Sequence, residues 1–182
     1  MANKAFFLDR DGVINRAFVR NGKSYPPQSI EEFEILPGVI EAISILRRNG
    51  FKVIVVTNQP DVSSGVQKLE TVEEFHRKLR ETLSLDDIEV CYHLESDQCK
   101  CRKPKPGMIF SAAEKWSIDL SKSFLVGDRW RDIGAGKAAG VFTFFIDYGY
   151  DEKLTVEPDK IVPSLLEASQ FALSLPGNCK SS

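Results

Sequence analysis

Short apolar blocks alternate with amphipathic helical patterns along this sequence, and no other feature limits its fold as strongly. Five blocks rich in β-branched and aromatic residues are typical of buried strands, at residues 5–9, 52–57, 88–92, 123–128 and 141–147. Apolar residues at helical spacing predict helices between and after them, within 37–50 and over 70–84, 107–116, 131–140 and 163–173. This alternation favours an α/β fold in which helices cover both faces of a parallel sheet.

The length and charge of the chain limit its domain number and its partners. With 182 residues, 42% of them hydrophobic, the chain can bury a core, and we expect residues 1–182 to form a single domain. The formal net charge of -2 provides no broad basic surface, which argues against nucleic acid and anionic membranes as partners. No apolar run is long enough for a signal peptide or a membrane span, so we expect a cytoplasmic protein. We also expect a monomer.

Residues 15–36 form a long polar loop between the first predicted strand and the first predicted helix. Long loops inside compact domains are often functional, and a solvated excursion is the equally open alternative. Arg20 and Tyr25 lie in this stretch, where they are candidates either for contact with a ligand or for exposure to solvent.

Polar side chains follow three of the predicted strands. Asp9, Thr57 and Asp128 stand at the ends of the first, second and fourth strands, and Asp11 comes two residues after Asp9. Ligands of open parallel sheets bind beyond the carboxyl ends of the strands, so we expect these side chains to share one crevice. Carboxylates held close together repel one another unless a cation lies between them, and Mg²⁺ prefers such oxygen ligands. The sequence therefore predicts a Mg²⁺ site made by Asp9, Asp11 and Asp128.

The same residues predict phosphoryl-transfer chemistry. A carboxylate beside Mg²⁺ can attack phosphorus and form an aspartyl-phosphate intermediate, and Asp9 is the candidate nucleophile. The Asp11 side chain returns to the same side of the chain, where it can protonate the leaving group and later take a proton from water. The phosphoryl oxygens need fixed donors and a cation, which Thr57 and Lys103 can supply.

Four short motifs resemble, in order, those of the haloacid dehalogenase superfamily. They are DRDGV at 9–13, TN at 57–58, Lys103 and GDRWRD at 127–132, and the likeness spans residues 5–147. The resemblance implies a role for each polar residue: Asp9 as nucleophile, Asp11 as acid and base, Thr57 and Lys103 for phosphate, and Asp128 for Mg²⁺. An aspartate two places after the nucleophile is typical of the superfamily's phosphatases and phosphomutases, so the likeness implies phosphate-ester chemistry.

The resemblance also implies a Rossmann-like three-layer sheet. The intervals 12–56 and 58–102 between motifs are already occupied by predicted core elements and a cysteine-rich loop, which leaves no room for a separate cap domain. We therefore expect an open site with residues 15–36, 59–68 and that loop at its rim. Asp132, in the last motif, is either a group near the metal or a helix N-terminal acid favoured by the macrodipole.

Three of the four cysteines and one of the two histidines lie within eleven positions. Cys91, His93, Cys99 and Cys101 provide three thiolates and an imidazole, a complete tetrahedral set for a structural Zn²⁺. In a reducing compartment such clusters are metal ligands more often than disulfides, and the alternative is a buried Cys91 with separate exposed thiols. A zinc-ordered loop would also order Arg102 and Lys103, which follow it directly. No role is assigned to Cys179.

The zinc loop leading into CRKP, with DRDGVIN and TNQ upstream, is similar to two groups of small phosphatases. One acts on D-glycero-D-manno-heptose 1,7-bisphosphate and the other is the histidinol-phosphate phosphatase domain; RKPKPGM and DGVIN are more like the heptose group. The likeness implies a small sugar phosphate as substrate and four residues that contact it: Asn58, Gln59, Arg102 and Arg129. Heptose enzymes usually have an arginine where this chain has Ser64, so a related sugar phosphate stays open.

Two alternatives to a sugar phosphatase remain open at this point. The first is hydrolysis of histidinol phosphate or another small phosphomonoester. The second is a non-catalytic, zinc-stabilised binding protein, against which the intact set of Asp9, Asp11, Lys103 and Asp128 argues. His76, beside Phe75 in the second predicted helix, is interpreted as a surface or core-edge residue rather than a catalyst.

Overall fold

Six parallel strands form the central sheet of this protein, in a computed structural model that describes residues 2–176. The strands in chain order are β1 (Lys4–Leu8), β2 (Phe18–Arg20), β3 (Lys23–Tyr25), β4 (Phe51–Asn58), β5 (Asp87–Cys91), β6 (Phe124–Gly127), β7 (Phe142–Ile146) and β8 (Lys160–Val162). Strands β2 and β3 pair separately as an antiparallel hairpin. The other six are arranged in the order β5-β4-β1-β6-β7-β8.

Helices pack on both faces of this sheet. They are α1 (Val39–Arg48), α3 (Leu69–Thr82), α4 (Gly107–Trp116), α5 (Trp130–Ala139) and α6 (Leu165–Ser174), while the short helix α2 (Pro60–Ser63) follows β4 and buries none of its residues. Alternate residues of β1 point to opposite faces, so Phe6 and Leu8 enter one apolar cluster while Ala5 and Phe7 enter another. The first cluster contains residues of α1, α3 and α6, and the second contains residues of α4 and α5. The predicted three-layer α/β fold is confirmed.

The hairpin β2–β3 corrects the prediction that residues 15–36 are a loop without strands. Each of its strands has three residues and lies largely exposed, so neither shows the buried alternation by which strands are recognised. Its turn is Asn21-Gly22, where both residues have positive φ, 49° and 73°. This dipeptide is a strong hairpin signal in its own right. Sequence reasoning also missed the short strand β8 and the helix α2.

The strand order reverses at β1, which is the topological switch point of the sheet. From β1 the chain continues to β4 and β5 on one side, and later to β6, β7 and β8 on the other. Crevices form at the carboxyl ends of strands where the order reverses in this way. The interval 12–56 holds the hairpin and α1, and 58–102 holds α2, α3 and β5, so the described residues contain no cap domain. Cys179 lies outside the described residues.

None of the helices in residues 2–176 has the length and apolar character needed to cross a membrane.

Candidate active site

A pocket of about 550 Å³ opens at the carboxyl ends of β1 and β4. Its floor includes Asp9, Asp11 and Lys103. The three predicted rim segments all line it: 15–36 through residues of the hairpin, 59–68 through α2 and the loop after it, and the cysteine loop through Arg102. Other walls come from Arg129, Arg131 and Asp132 at the start of α5.

Two glycines allow the aspartates to approach each other. Gly12 has a φ of 90°, and a Cβ on this residue would collide with the Asp128 carboxylate. Gly127, the last residue of β6, lies against the side chain of Asp132, which would meet any Cβ added there. The Asp9 amide donates to the carbonyl of Val126 at 3.0 Å, which joins the ends of β1 and β6. The small residues of the two motifs are therefore required by close packing of the carboxylates.

Three carboxylates converge at this point: Asp9, Asp128 and Asp132 offer oxygens that all lie within 4.8 Å of one another. The Asp11 carboxylate, predicted as a Mg²⁺ ligand, is not part of this cluster, and Asp132 takes its position. The reason is the geometry of α5, whose first turn brings Asp132 back beneath Gly127 and against β6. The Asp132 Oδ2 also accepts a hydrogen bond from the backbone amide of Arg129 at 3.0 Å, as a helix N-terminal acid does.

Lys103 is the cation of this cluster and is almost wholly buried. Its Nζ lies 2.8 Å from Asp9 Oδ1 and 2.5 Å from Asp132 Oδ1, and it donates to the carbonyl of Val56 at 2.7 Å. The Asn58 side chain fixes the Lys103 backbone, because its Oδ1 accepts from the Lys103 amide and its Nδ2 donates to the Lys103 carbonyl, both at 3.1 Å. Asn58, predicted to contact substrate, lines the pocket while its amide holds the lysine.

The charges of this cluster do not balance within the protein. Three carboxylates and one ammonium leave a net formal charge of minus two when all are ionised. Burial, with Asp132 nearby, raises the pKa of Asp9 to about 6. Burial, with Asp9 and Asp132, raises the pKa of Asp128 well above its usual value, and its buried Oδ1 has no hydrogen-bond partner in the described structure. A divalent cation would neutralise the cluster and occupy the orphaned oxygen, so these residues fit Mg²⁺.

Asp11 is held by a separate set of donors beside this cluster. Its oxygens accept from the Arg10 guanidinium at 2.9 to 3.2 Å, and Oδ1 also accepts from Asn15 Nδ2 at 2.9 Å. Gln59 Nε2 donates at 2.9 Å both to Asp11 Oδ2 and to Thr57 Oγ1. Gln59, predicted to contact substrate, therefore joins the acid/base candidate Asp11 to the phosphate-binding candidate Thr57, and it also lines the pocket.

Arg102 and Arg129, both predicted to contact substrate, line the pocket. Arg102 donates from Nη1 to the carbonyl of His93 at 3.2 Å, which ties it to the cysteine loop. Arg129 forms an ion pair with Glu152, a residue that the sequence did not single out. Each guanidinium is therefore braced by the protein while it faces the pocket.

The four predicted zinc ligands come together in the structure. Cys91 Sγ lies 3.7 Å from Cys99 Sγ and 3.1 Å from Cys101 Sγ, and the last two sulfurs are 3.5 Å apart. His93 Nδ1 lies 3.6 Å from Cys91 Sγ and 3.3 Å from Cys101 Sγ. A tetrahedral zinc ion with Zn–S bonds of about 2.3 Å separates its sulfurs by about 3.8 Å, so the cage is close to the required size. The backbone amide of Arg102 donates to Cys99 Sγ at 3.4 Å.

Sequence reasoning missed three residues that surround the carboxylates. Tyr150 donates its hydroxyl to Asp128 Oδ2 at 2.8 Å, and Tyr148 donates to the carbonyl of Gly12 at 2.9 Å. Arg10, inside the first motif, was not assigned any contact. The tyrosines follow β7 by only a few residues, so their position after a strand end was the available signal.

Comparisons with a family model, with curated proteins and with solved structures all find phosphatases or hydrolases of one family. Residues 23–140 match the family model of haloacid dehalogenase-like hydrolases. The chain is 39% identical over 145 residues to a D-glycero-beta-D-manno-heptose-1,7-bisphosphate 7-phosphatase of Helicobacter pylori, covering 76% of this chain and 80% of that protein. A crystal structure of D,D-heptose 1,7-bisphosphate phosphatase from B. bronchiseptica, complexed with magnesium and phosphate, matches with a TM-score of 0.79 and 29% identity, covering 93% of this chain and 98% of that one. The corresponding structure from Burkholderia thailandensis matches at 0.67 and 27% identity, covering 95% and 100%.

Proposed function

We infer the reaction from one premise: this chain belongs to the haloacid dehalogenase-like hydrolase family. It is a Mg²⁺-dependent phosphatase that acts on a sugar phosphate. The observation that carries the mechanism is the contact of the Asp9 carboxylate with Lys103 at the floor of an open pocket, with Asp11 beside it. Both hydrogen bonds to Asp9, from Lys103 Nζ and the Arg10 amide, end on Oδ1, so Oδ2 stays available for attack.

The first step transfers the phosphoryl group to the protein. An Asp9 carboxylate oxygen attacks phosphorus, the bond between phosphorus and the ester oxygen breaks, and Asp11 gives its proton to the departing alkoxide. Lys103 and the Thr57 hydroxyl stabilise charge on the phosphoryl oxygens. Mg²⁺, held by Asp9, Asp128 and Asp132, would supply further charge neutralisation and hold the phosphoryl group in line for attack.

The second step regenerates the protein. A water molecule gives a proton to the Asp11 carboxylate as its oxygen attacks phosphorus, and the bond between phosphorus and the Asp9 oxygen breaks. Inorganic phosphate leaves, Asp9 is again a carboxylate, and Asp11 again carries the proton that the next turnover needs. One water is consumed for each ester bond that is broken.

The proposed substrate is D-glycero-β-D-manno-heptose 1,7-bisphosphate, cleaved at its 7-phosphate. The names of the relatives support this choice. The pocket supports a substrate with a second anionic group, because Arg20, Arg102, Arg129 and Arg131 line it beyond Lys103. We assign Arg102 and Arg129 to that group, since both line the pocket and the protein holds each of them through a second contact. Asn58 and Gln59 would contact the reacting end of the substrate.

We also propose that Cys91, His93, Cys99 and Cys101 bind a structural Zn²⁺, and that residues 1–182 act as a single domain. The tetrahedral cage, complete without water, supports the metal. Zinc would hold the loop from which Arg102 and Lys103 emerge, and so contribute to the pocket wall and floor. Two apolar clusters on one continuous sheet support the single domain.

Phosphate release from a substrate panel tests this proposal. The panel compares the two anomers of the heptose bisphosphate with histidinol phosphate, with Mg²⁺ and after its removal. Asp9→Asn should lower turnover of the best substrate by about 10⁴-fold or more, since it removes the nucleophile. Asp151→Asn, the same change at an exposed aspartate, is the control and should retain full activity. Retained turnover in Asp9→Asn would contradict the mechanism. Preference for histidinol phosphate would contradict the proposed substrate.

A further inference from the structure

Arg10 is the largest wholly buried side chain in the described structure, and no function has been assigned to it so far. Its guanidinium donates to both oxygens of Asp11: Nη2 reaches Oδ1 at 3.1 Å and Oδ2 at 2.9 Å, while Nε reaches Oδ1 at 3.2 Å. The guanidinium also lies 5.4 Å from the centre of the Phe75 ring. A planar fork of this kind fixes the plane of a carboxylate, which a point charge such as lysine cannot do.

Stability alone does not account for this pair. Removing a guanidinium and a carboxylate from water costs several kcal/mol, and buried ion pairs replaced by apolar residues often leave a protein as stable as before. Asp11 keeps a small part of its surface open and lines the pocket, whereas Arg10 has no exposed surface. The pair is therefore arranged so that the cation supports the carboxylate from behind while the carboxylate faces the substrate.

His76 completes the buried arrangement from helix α3. It lies on the same inward stripe as Val72, Phe75 and Leu79, where an apolar residue would be expected. Its Nε2 is 3.4 Å from Arg10 Nη1, the one guanidinium nitrogen that does not donate to Asp11. Because a guanidinium has donors only, Nε2 must be the accepting nitrogen of a neutral ring. Burial and the neighbouring Arg10 lower the pKa of His76 to about 4, which is consistent with that neutral form.

The outer end of this chain of contacts reaches the cysteine loop. His76 Nδ1 lies 3.4 Å from Glu73 Oε1, which accepts a hydrogen bond of 2.7 Å from the Tyr92 hydroxyl. Tyr92 stands between two of the candidate zinc ligands, Cys91 and His93. The contacts thus run from the loop through α3 to the pocket, with Arg10 and His76 buried, Glu73 exposed and Tyr92 half-buried.

We propose that Arg10 and His76 are positioning residues for the proton transfer of Asp11. Arg10 holds the Asp11 carboxylate in the plane in which it meets the ester oxygen, and His76 holds Arg10 by accepting from its remaining nitrogen. The inference rests on the proposed function, because it takes Asp11 as the group that protonates the leaving group. It predicts that loss of either residue slows substrates whose leaving group needs a proton more than substrates whose leaving group does not.

Two aryl phosphates separate these cases in one preparation of the full-length protein with Mg²⁺. The 4-nitrophenolate ion leaves without a proton, whereas the phenolate released from phenyl phosphate is a much stronger base, comparable to tyrosine, and gains from protonation. Product release is measured in a single turnover, with protein in excess over substrate. The ratio of the two rates does not depend on the fraction of the protein that is folded.

In Arg10→Lys the preference for 4-nitrophenyl phosphate over phenyl phosphate should rise by about tenfold to a hundredfold, because part of the general-acid contribution is lost. His76→Leu removes the acceptor and should raise the preference by about threefold to tenfold. His76→Gln keeps an acceptor oxygen for Arg10 and should return the preference to within about twofold of the original. Arg77→Lys, at an exposed arginine next to His76, is the matched control and should change nothing.

An unchanged preference in both Arg10→Lys and His76→Leu, whatever the absolute rates, would overturn the inference and leave Arg10 with a structural role only. A preference that rises equally in His76→Gln and His76→Leu would overturn the role of His76 as an acceptor. Asp9→Asn, measured in parallel, tests the phosphatase mechanism itself. If Asp9→Asn is inactive while the preference stays constant in the other variants, the mechanism stands and only this inference fails.

Discussion

The carboxylate cluster and the cysteine loop are both candidate metal sites, but they acquire their geometry in different ways. Asp9 lies far in sequence from Asp128 and Asp132, and the three meet because two neighbouring strands end at one edge of the sheet. The cysteine ligands all lie within Cys91–Cys101, and only the first belongs to a strand. A site built on a sheet persists without its ion, whereas a site built on a short loop depends on the ion for its order. Removing each metal should therefore have different consequences.

Removing the divalent ion from the carboxylate cluster should have the largest effect on activity. Treatment with EDTA followed by gel filtration should lower phosphate release by about a thousandfold or more, because the ion supplies several kcal/mol of charge stabilisation. The far-UV circular dichroism spectrum should be unchanged, since β1 and β6 hold the carboxylates in place. Addition of Mg²⁺ should restore the rate. Loss of secondary structure on treatment would contradict the contrast between the two sites, unless the zinc content, measured in parallel, has also fallen.

Removing a ligand from the cysteine loop should act mainly on stability. Cys101→Ser should bind no zinc by elemental analysis and should lower the free energy of unfolding by about 4 kcal/mol, the range expected for loss of a structural metal. Activity should also fall, because Lys103 follows the loop. Lys100→Ser, at an exposed residue between two ligands, is the matched control. The prediction is wrong if Cys101→Ser keeps one zinc per chain or unfolds at the same denaturant concentration as the original protein.

His76 lies between the cysteine loop and the Arg10–Asp11 pair, and its buried neutral ring predicts a dependence of stability on pH. Its pKa falls from 6.5 to about 4 on folding, through burial and Arg10, so the unfolded chain binds the extra proton between these values. The free energy of unfolding is therefore unaffected by this group above pH 6.5. As the pH falls below that value it should decrease, by up to about 3 kcal/mol at pH 4. Urea unfolding of the original protein and His76→Gln at both pH values measures the difference. The prediction is contradicted if the free energy of unfolding changes by the same amount between the two pH values in both proteins.

A smaller effect is expected from the hydroxyl that supports Asp128. Tyr150→Phe removes the donor to Asp128 Oδ2 and should weaken activation by Mg²⁺ by about fivefold to tenfold, while the rate at saturating Mg²⁺ changes little. A Mg²⁺ titration of phosphate release measures both quantities. Tyr148→Phe, which loses a bond to the Gly12 carbonyl instead, is the neighbouring control. Equal Mg²⁺ requirements in all three proteins would show that Tyr150 does not support the metal site.

Much of the fold could be predicted because local sequence patterns indicate its strands and helices. The blocks predicted at 5–9 and 52–57 are β1 and β4, and the helix predicted at 107–116 has the observed bounds of α4. Apolar periodicity is a property of neighbouring residues, so it can be read without the rest of the chain. The hairpin β2–β3 was missed because exposed strands lack this periodicity, although its Asn21-Gly22 turn was visible in the sequence.

The candidate site was predictable to the extent that its residues follow strands. Asp9, Thr57 and Asp128 were identified from strand ends alone, and the structure brings them to one edge of the sheet. The exchange of Asp11 for Asp132 in the carboxylate cluster could not be predicted in this way. It depends on how the first turn of α5 packs against Gly127, and on the donors that hold Asp11 away from the cluster. Both depend on how side chains pack in the folded protein, although most of the residues concerned lie within five positions of one another.

By itself, therefore, the sequence determined the layered α/β fold, the strand-end aspartates and the local cluster of candidate zinc ligands, because short-range spacing encodes each of them. Only the tertiary structure decided which carboxylates share one site, that Asn58 holds Lys103, and that Arg10 and His76 lie behind Asp11. These contacts involve buried polar groups, whose partners are chosen by the need to satisfy every donor and acceptor within the packed core. No spacing along the chain records that choice.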